Sequence, residues 1–282
     1  MRTMDLAGAD GGGTISRNSV PGRASRRAFF GVSALLFAAA AAATVARCAS
    51  MPAAMDGMPM AGGGTRGMAW TRMPGQTWPG AAAAFLATWV AMMVAMMLPS
   101  IIPVLWRYRQ AVAGTGETRP GALTALVGVG YFFVWTVVGL AVFPLGAALA
   151  GMVTRQPALA RAAPAAAGVV VLIAGALQLT AWKAHHLACC RDVPGRAPAP
   201  SADAGTAWRH GLRLGLHCLQ SSGGLMAILL VMGMMDLRVM AVVAAAITVE
   251  RLTPAGERVA RATGVVIIGA GLILIARTLW DV

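Results

Sequence analysis

Apolar runs of about 20 residues recur along this chain, broken by short segments that carry most of its arginines. A helix of that length crosses the ~30 Å hydrocarbon core of a bilayer. The pattern predicts seven spans, at about 28–46, 80–106, 123–152, 163–182, 212–235, 237–249 and 263–279. The sixth is short for a full crossing. Alanine and glycine fill these runs, which suits close helix packing in a membrane. The predicted fold class is therefore all-α, a polytopic transmembrane helix bundle of about seven spans. It divides into a polar, disordered cytoplasmic N-terminus (1–27), a first span or signal anchor (28–46), a Met/Gly-rich periplasmic linker (47–79) and a transmembrane helical domain (80–282).

Composition supports the same reading. Of 282 residues 58% are hydrophobic and only 12% are charged, against ~25% charged in soluble domains. A soluble enzyme and a disulfide-stapled secreted domain are excluded. The net charge of +13 would suggest nucleic acid in a soluble chain. Here the cations flank spans, so the expected partner is the lipid bilayer and no nucleic acid. With the N-terminus in the cytoplasm, 16 of the 23 basic residues fall on inner segments, as positive-inside orientation requires. Ser25-Arg26-Arg27 and the small residues Ala43 to Ala46 also fit a twin-arginine signal with a cleavage site. Anchor and signal both leave 47–79 outside.

The densest set of metal-binding side chains is Lys183-Ala184-His185-His186-Leu187-Ala188-Cys189-Cys190-Arg191, just past the fourth span. On a continuous helix His185 and Cys189 share a face, as do His186 and Cys190. The fifth span opens with His217 and Cys218 on the same inner side, with His210 one to two turns earlier. Imidazole and thiolate suit copper or zinc, and cytoplasmic thiols stay reduced. The expected core ligands are His186, Cys190, His217 and Cys218, with His185 and Cys189 as alternates. Each residue alone is better explained as a buried cysteine or a solvated interfacial histidine, and only their grouping on one side favours metal.

Methionine offers two softer candidates. Met92, Met93, Met96 and Met97 fall in face-sharing pairs on the second span, a spacing that packing explains better than ligation. Met55, Met58 and Met60 lie in the outer linker beside Asp56, as in thioether-rich copper-handling segments. Glu250 beside Arg251 reads as an interfacial ion pair, and Asp236 as a turn or cap residue. No nucleotide loop, nucleophile elbow or His-Glu-x-x-His motif is present, so no catalytic residue is assigned and no enzyme is expected.

Trp89-x-x-Met92-x-x-Ala95-Met96-Met97-x-Pro99 resembles the hallmark of a bacterial family of predicted metal-binding integral membrane proteins, domain of unknown function 2182. Tyr131-x-x-x-Trp135, Leu177-Gln178-Leu179-Thr180-x-x-Lys183 and Gly211-x-x-x-Gly215 followed by Cys218 and Leu225-Met226 agree with it. The resemblance runs from about Trp78 to the C-terminus. It implies a multi-pass protein of the bacterial inner membrane with a metal site and no established reaction. The chain departs from the family pattern where ligands are expected. His186 stands at a family cysteine, and Ser221 and Ser222 stand at two more. Histidine preserves ligation, whereas serine hydroxyls bind soft metals poorly.

The expectation is therefore non-catalytic transition-metal handling, copper before zinc, with a metallochaperone or another membrane protein as partner. A metal-free structural or assembly partner is the alternative, and a b-type haem protein the third reading.

Overall fold

The computed structural model describes residues 22–53, 75–191 and 203–280. The linker methionines Met55, Met58 and Met60 lie outside these residues, as does most of the 192–210 connection. Among the described residues there are eight helices and no strands: α1 (Arg23–Ala53), α2 (Trp78–Ala113), α3 (Pro120–Arg155), α4 (Pro157–Gln178), α5 (Ala181–Arg191), α6 (Ala204–Met232), α7 (Leu237–Leu252) and α8 (Gly256–Trp280). The all-helical expectation holds.

Six of the eight are long and apolar enough to cross a membrane: α1, α2, α3, α4, α6 and α8. The sixth predicted span became α7, whose 16 residues fall below that length. Its last turn turns inward, and Glu250 and Arg251 are both buried. The fourth predicted span stops at Gln178, and α5 starts as a separate helix. Thr180 caps it, its Oγ1 accepting from Lys183 N at 3.3 Å. Asp236 caps α7, accepting from the backbone N–H of Arg238 and Val239 at 2.8 and 3.3 Å. The turn that joins α6 to α7 passes through Gly233 at φ 122°, a conformation open to glycine.

Glycine sets the closest helix approaches. Gly168 and Gly175 of α4 face Gly271 and Gly264 of α8, seven residues apart on each helix, so one seam recurs every two turns. At the crossing of α3 and α6, Gly130 faces Gly211, and a Cβ added at Gly211 would lie 2.3 Å from Val127 O. The core lies between these pairs, with α2 at its centre. Trp89, Met92, Met93, Met96 and Met97 are all buried there. The methionine pairs pack, as helical spacing suggested. Trp89 Nε1 donates to Trp135 O at 2.8 Å, which joins α2 to α3.

Candidate metal centre

All four α5 candidates lie on one unbroken helix after the Thr180 cap, so His185 and Cys189 share one face and His186 and Cys190 another. His185 Nε2 and Cys189 Sγ remain partners one turn apart, at 3.7 Å and on the exposed side. His186 and Cys190 do not pair with each other. His186 turns to α6, where its Nδ1 lies 3.2 Å from His217 Nδ1. Cys190 points into the bundle, 3.6 Å from Ser221 Oγ. Partial desolvation first, then the neighbouring His185 and His217, lower the His186 pKa below the usual imidazole range. That favours the neutral ring, the form that ligates metal.

Cys218 is fully buried, next in sequence to His217 but one tier deeper. Tyr131 Oη donates to its sulfur at 2.8 Å. Its Sγ lies 3.6 Å from Ser222 Oγ and 3.9 Å from Met97 Sδ, so the buried core methionine lies against the thiol. The expected four core ligands thus fall into two levels, a half-buried His186–His217 pair and two buried thiols below it. Among the described residues no three His, Cys, Asp or Glu side chains converge as a ready-made metal cage. His210 stands apart from both levels. Its ring stacks on Tyr108 at 5.3 Å, and its Nε2 has no hydrogen-bond partner.

Sequence reasoning missed what connects the thiols. Arg251 of α7 reaches between α2, α3, α5 and α6. Its Nη2 donates to Ser221 Oγ at 3.2 Å and to Cys190 Sγ at 3.6 Å. Its Nη1 donates to Ser100 Oγ at 3.4 Å and to Tyr131 Oη at 3.5 Å. Cys190 thus touches the guanidinium directly, and Cys218 is joined to it through Tyr131. A small cavity opens between Ser100, Tyr131, Cys190 and Arg251. The sequence carries no clear signal for this, because an arginine near the end of an apolar helix ordinarily snorkels to the interface.

Glu250 is not the partner of Arg251, which corrects the interfacial-pair expectation. Glu250 Oε2 accepts from Lys183 Nζ at 2.8 Å, and its Oε1 from Gln178 Nε2 at 2.8 Å. Lys183 also donates to the backbone carbonyl of Ser221. The pair ties α4, α5, α6 and α7 together directly behind the thiols, and both members are buried. Gln178 and Lys183 are therefore structural supports of this end of the bundle.

The donor types fit a soft monovalent ion better than a hard one. Thiolate and thioether select Cu(I), imidazole serves copper and zinc, and the two serines add hydroxyls that neither prefers. Two nitrogens each 2.0–2.1 Å from one ion at a tetrahedral angle are about 3.3 Å apart, close to the observed His186–His217 separation of 3.2 Å. No curated protein and no solved structure matches the chain. A family match does exist, over residues 86–274. That segment is about two thirds of the chain and contains α3 to α7 whole, most of α2 and α8, and every residue of the two-level site. The chain belongs to the copper chaperone family PpoB2.

Proposed function

We propose that this is a non-catalytic copper-handling protein of the bacterial inner membrane, which receives Cu(I) at the exposed end of α5 and α6 and holds it at Cys190 and Cys218. The observation that carries this reading is the graded burial of adjacent soft donors. His185 lies outermost, Cys189, His186 and His217 are half-buried, and Cys190, Cys218 and Met97 are buried. An ion entering along this series exchanges nitrogen for sulfur ligands as it leaves water. Sulfur holds Cu(I) the more strongly, so the deeper level is the resting place. The outer histidines are then the transfer point to a metallochaperone or to a membrane acceptor. The family supports copper over zinc, and the Met97 thioether beside Cys218 points the same way.

The N-terminus lies in the cytoplasm in this reading, so the α5 end faces the cytoplasm, where thiols stay reduced. The test is Cu(I) competition against a chromophoric chelator, on detergent-purified protein under reductant. Wild type retains Cu(I), the Cys190→Ala/Cys218→Ala variant loses it, and His186→Ala/His217→Ala slows its transfer while leaving equilibrium binding largely intact. Wild-type protein that takes up no Cu(I) would overturn copper handling and favour a metal-free assembly role.

A further inference from the structure

Burying a charge in a bundle like this one requires a compensating partner, and the buried charges here do not cancel. Among the described residues the buried ionisable side chains of fixed charge are Lys183, Glu250 and Arg251. Glu250 uses both carboxylate oxygens on Lys183 and Gln178. Among the described residues Arg251 has no carboxylate within ion-pair distance, and its partners are hydroxyls, a phenol and a thiol. Two cations against one anion leave one positive charge uncompensated. It sits on the guanidinium that contacts Cys190 and, through Tyr131, reaches Cys218.

We propose that Arg251 is the specificity determinant of this site, a built-in counter-charge that makes the two thiols prefer a monovalent ion over a divalent one. The proposal rests on Cys190 and Cys218 being the ligands. When Cu(I) binds, two S–H bonds break, two Cu–S bonds form and two protons leave to solvent. No electron moves. The product carries one negative charge, because two thiolates outweigh one Cu(I). That charge balances the surplus of the buried Lys183–Glu250–Arg251 group. Zinc bound by the same two thiolates is neutral and leaves the guanidinium uncompensated in a low-dielectric interior. Tyr131 is a positioning residue, since it hydrogen-bonds Cys218 and lies beside the guanidinium.

Charge complementarity predicts an ordered series, which a purely structural arginine does not. Arg251→Gln and Lys183→Gln each bring the buried total to zero, Arg251→Lys keeps it at the wild-type value, and Glu250→Gln raises it by one. Cu(I) and Zn(II) affinities are measured separately, by competition with chelators of known affinity, on protein that keeps wild-type helix content and elution volume. Arg251→Gln weakens Cu(I) by about 100-fold, the Coulomb interaction of unit charges ~6 Å apart at an effective dielectric of ~20. It leaves Zn(II) unchanged or tighter. Lys183→Gln shifts the Cu(I)-to-Zn(II) ratio the same way, Arg251→Lys restores most of it, and Glu250→Gln raises it. Should Arg251→Gln fail to fold, the order among the other three decides the question. Ratios that do not follow the buried charge, while Cys190→Ala/Cys218→Ala still abolishes Cu(I) binding, would overturn the counter-charge role alone. Cu(I) binding that survives loss of both cysteines would instead overturn the ligand assignment.

Discussion

A single methyl group at Gly211 tests whether the α3–α6 crossing holds the site together. A Cβ there would lie 2.3 Å from Val127 O and 3.1 Å from Gly130 Cα. Both neighbours are backbone, so no side chain can swing aside. Ordinary contact begins near 3.4 Å, and the two helices must part by about 1 Å. Alanine gains about 1 kcal/mol over glycine in helix propensity. Overpacking costs ~1–3 kcal/mol, with the upper end apt where backbones meet. Gly211→Ala is therefore expected to destabilise by about 2 kcal/mol, about 5 °C in thermal unfolding by the scaling of soluble proteins of similar size. Gly223 on the same helix is the control, because a Cβ there meets nothing within 4 Å. Gly223→Ala should hold or raise the melting temperature. The parting also separates Tyr131 from Cys218, now 2.8 Å apart, so Cu(I) affinity should fall with stability. Thermal unfolding in detergent, followed by tryptophan fluorescence, measures both variants. Gly211→Ala melting at or above wild type would refute the close-packing argument.

Three further outcomes follow from the same structure. Glu250→Ala leaves Lys183 buried and unpaired and should cost about 3–5 kcal/mol, while Lys183→Met/Glu250→Leu recovers most of the loss in a double-mutant cycle. Trp89→Phe removes the hydrogen bond to Trp135 O and should cost about 1 kcal/mol with little change in Cu(I) affinity, read from thermal unfolding and chelator competition. Reporter fusions should place 183–210 in the cytoplasm and 47–79 in the periplasm; an exported 183–210 segment would remove the argument that its thiols stay reduced.

Hydropathy alone pointed to an all-helical bundle and to the runs that became the six long helices, because covering a bilayer core demands runs of apolar residues whatever their neighbours are. It counted the short α7 as a seventh span. It also picked out the candidate ligands at one end of the bundle, since polar side chains near an interface stand out against apolar sequence. The small-residue composition indicated close packing, and the capping role of Asp236 was visible from its place between two apolar runs. Tertiary structure alone decided which ligands meet. His186 and Cys190, four apart on α5, face His217 and Ser221, four apart on α6. Helical periodicity gives the shared face, but that a serine rather than Cys218 stands opposite Cys190 depends on how the two helices pack. The charge pairing was equally hidden: Glu250 and Arg251 are neighbours in sequence, and sequence proximity suggested an ion pair. In the fold Glu250 is taken by Lys183, 67 residues away, and Arg251 is left facing the thiols. Which charge cancels which depends on helices brought together from across the chain, and only the packed bundle sets that geometry.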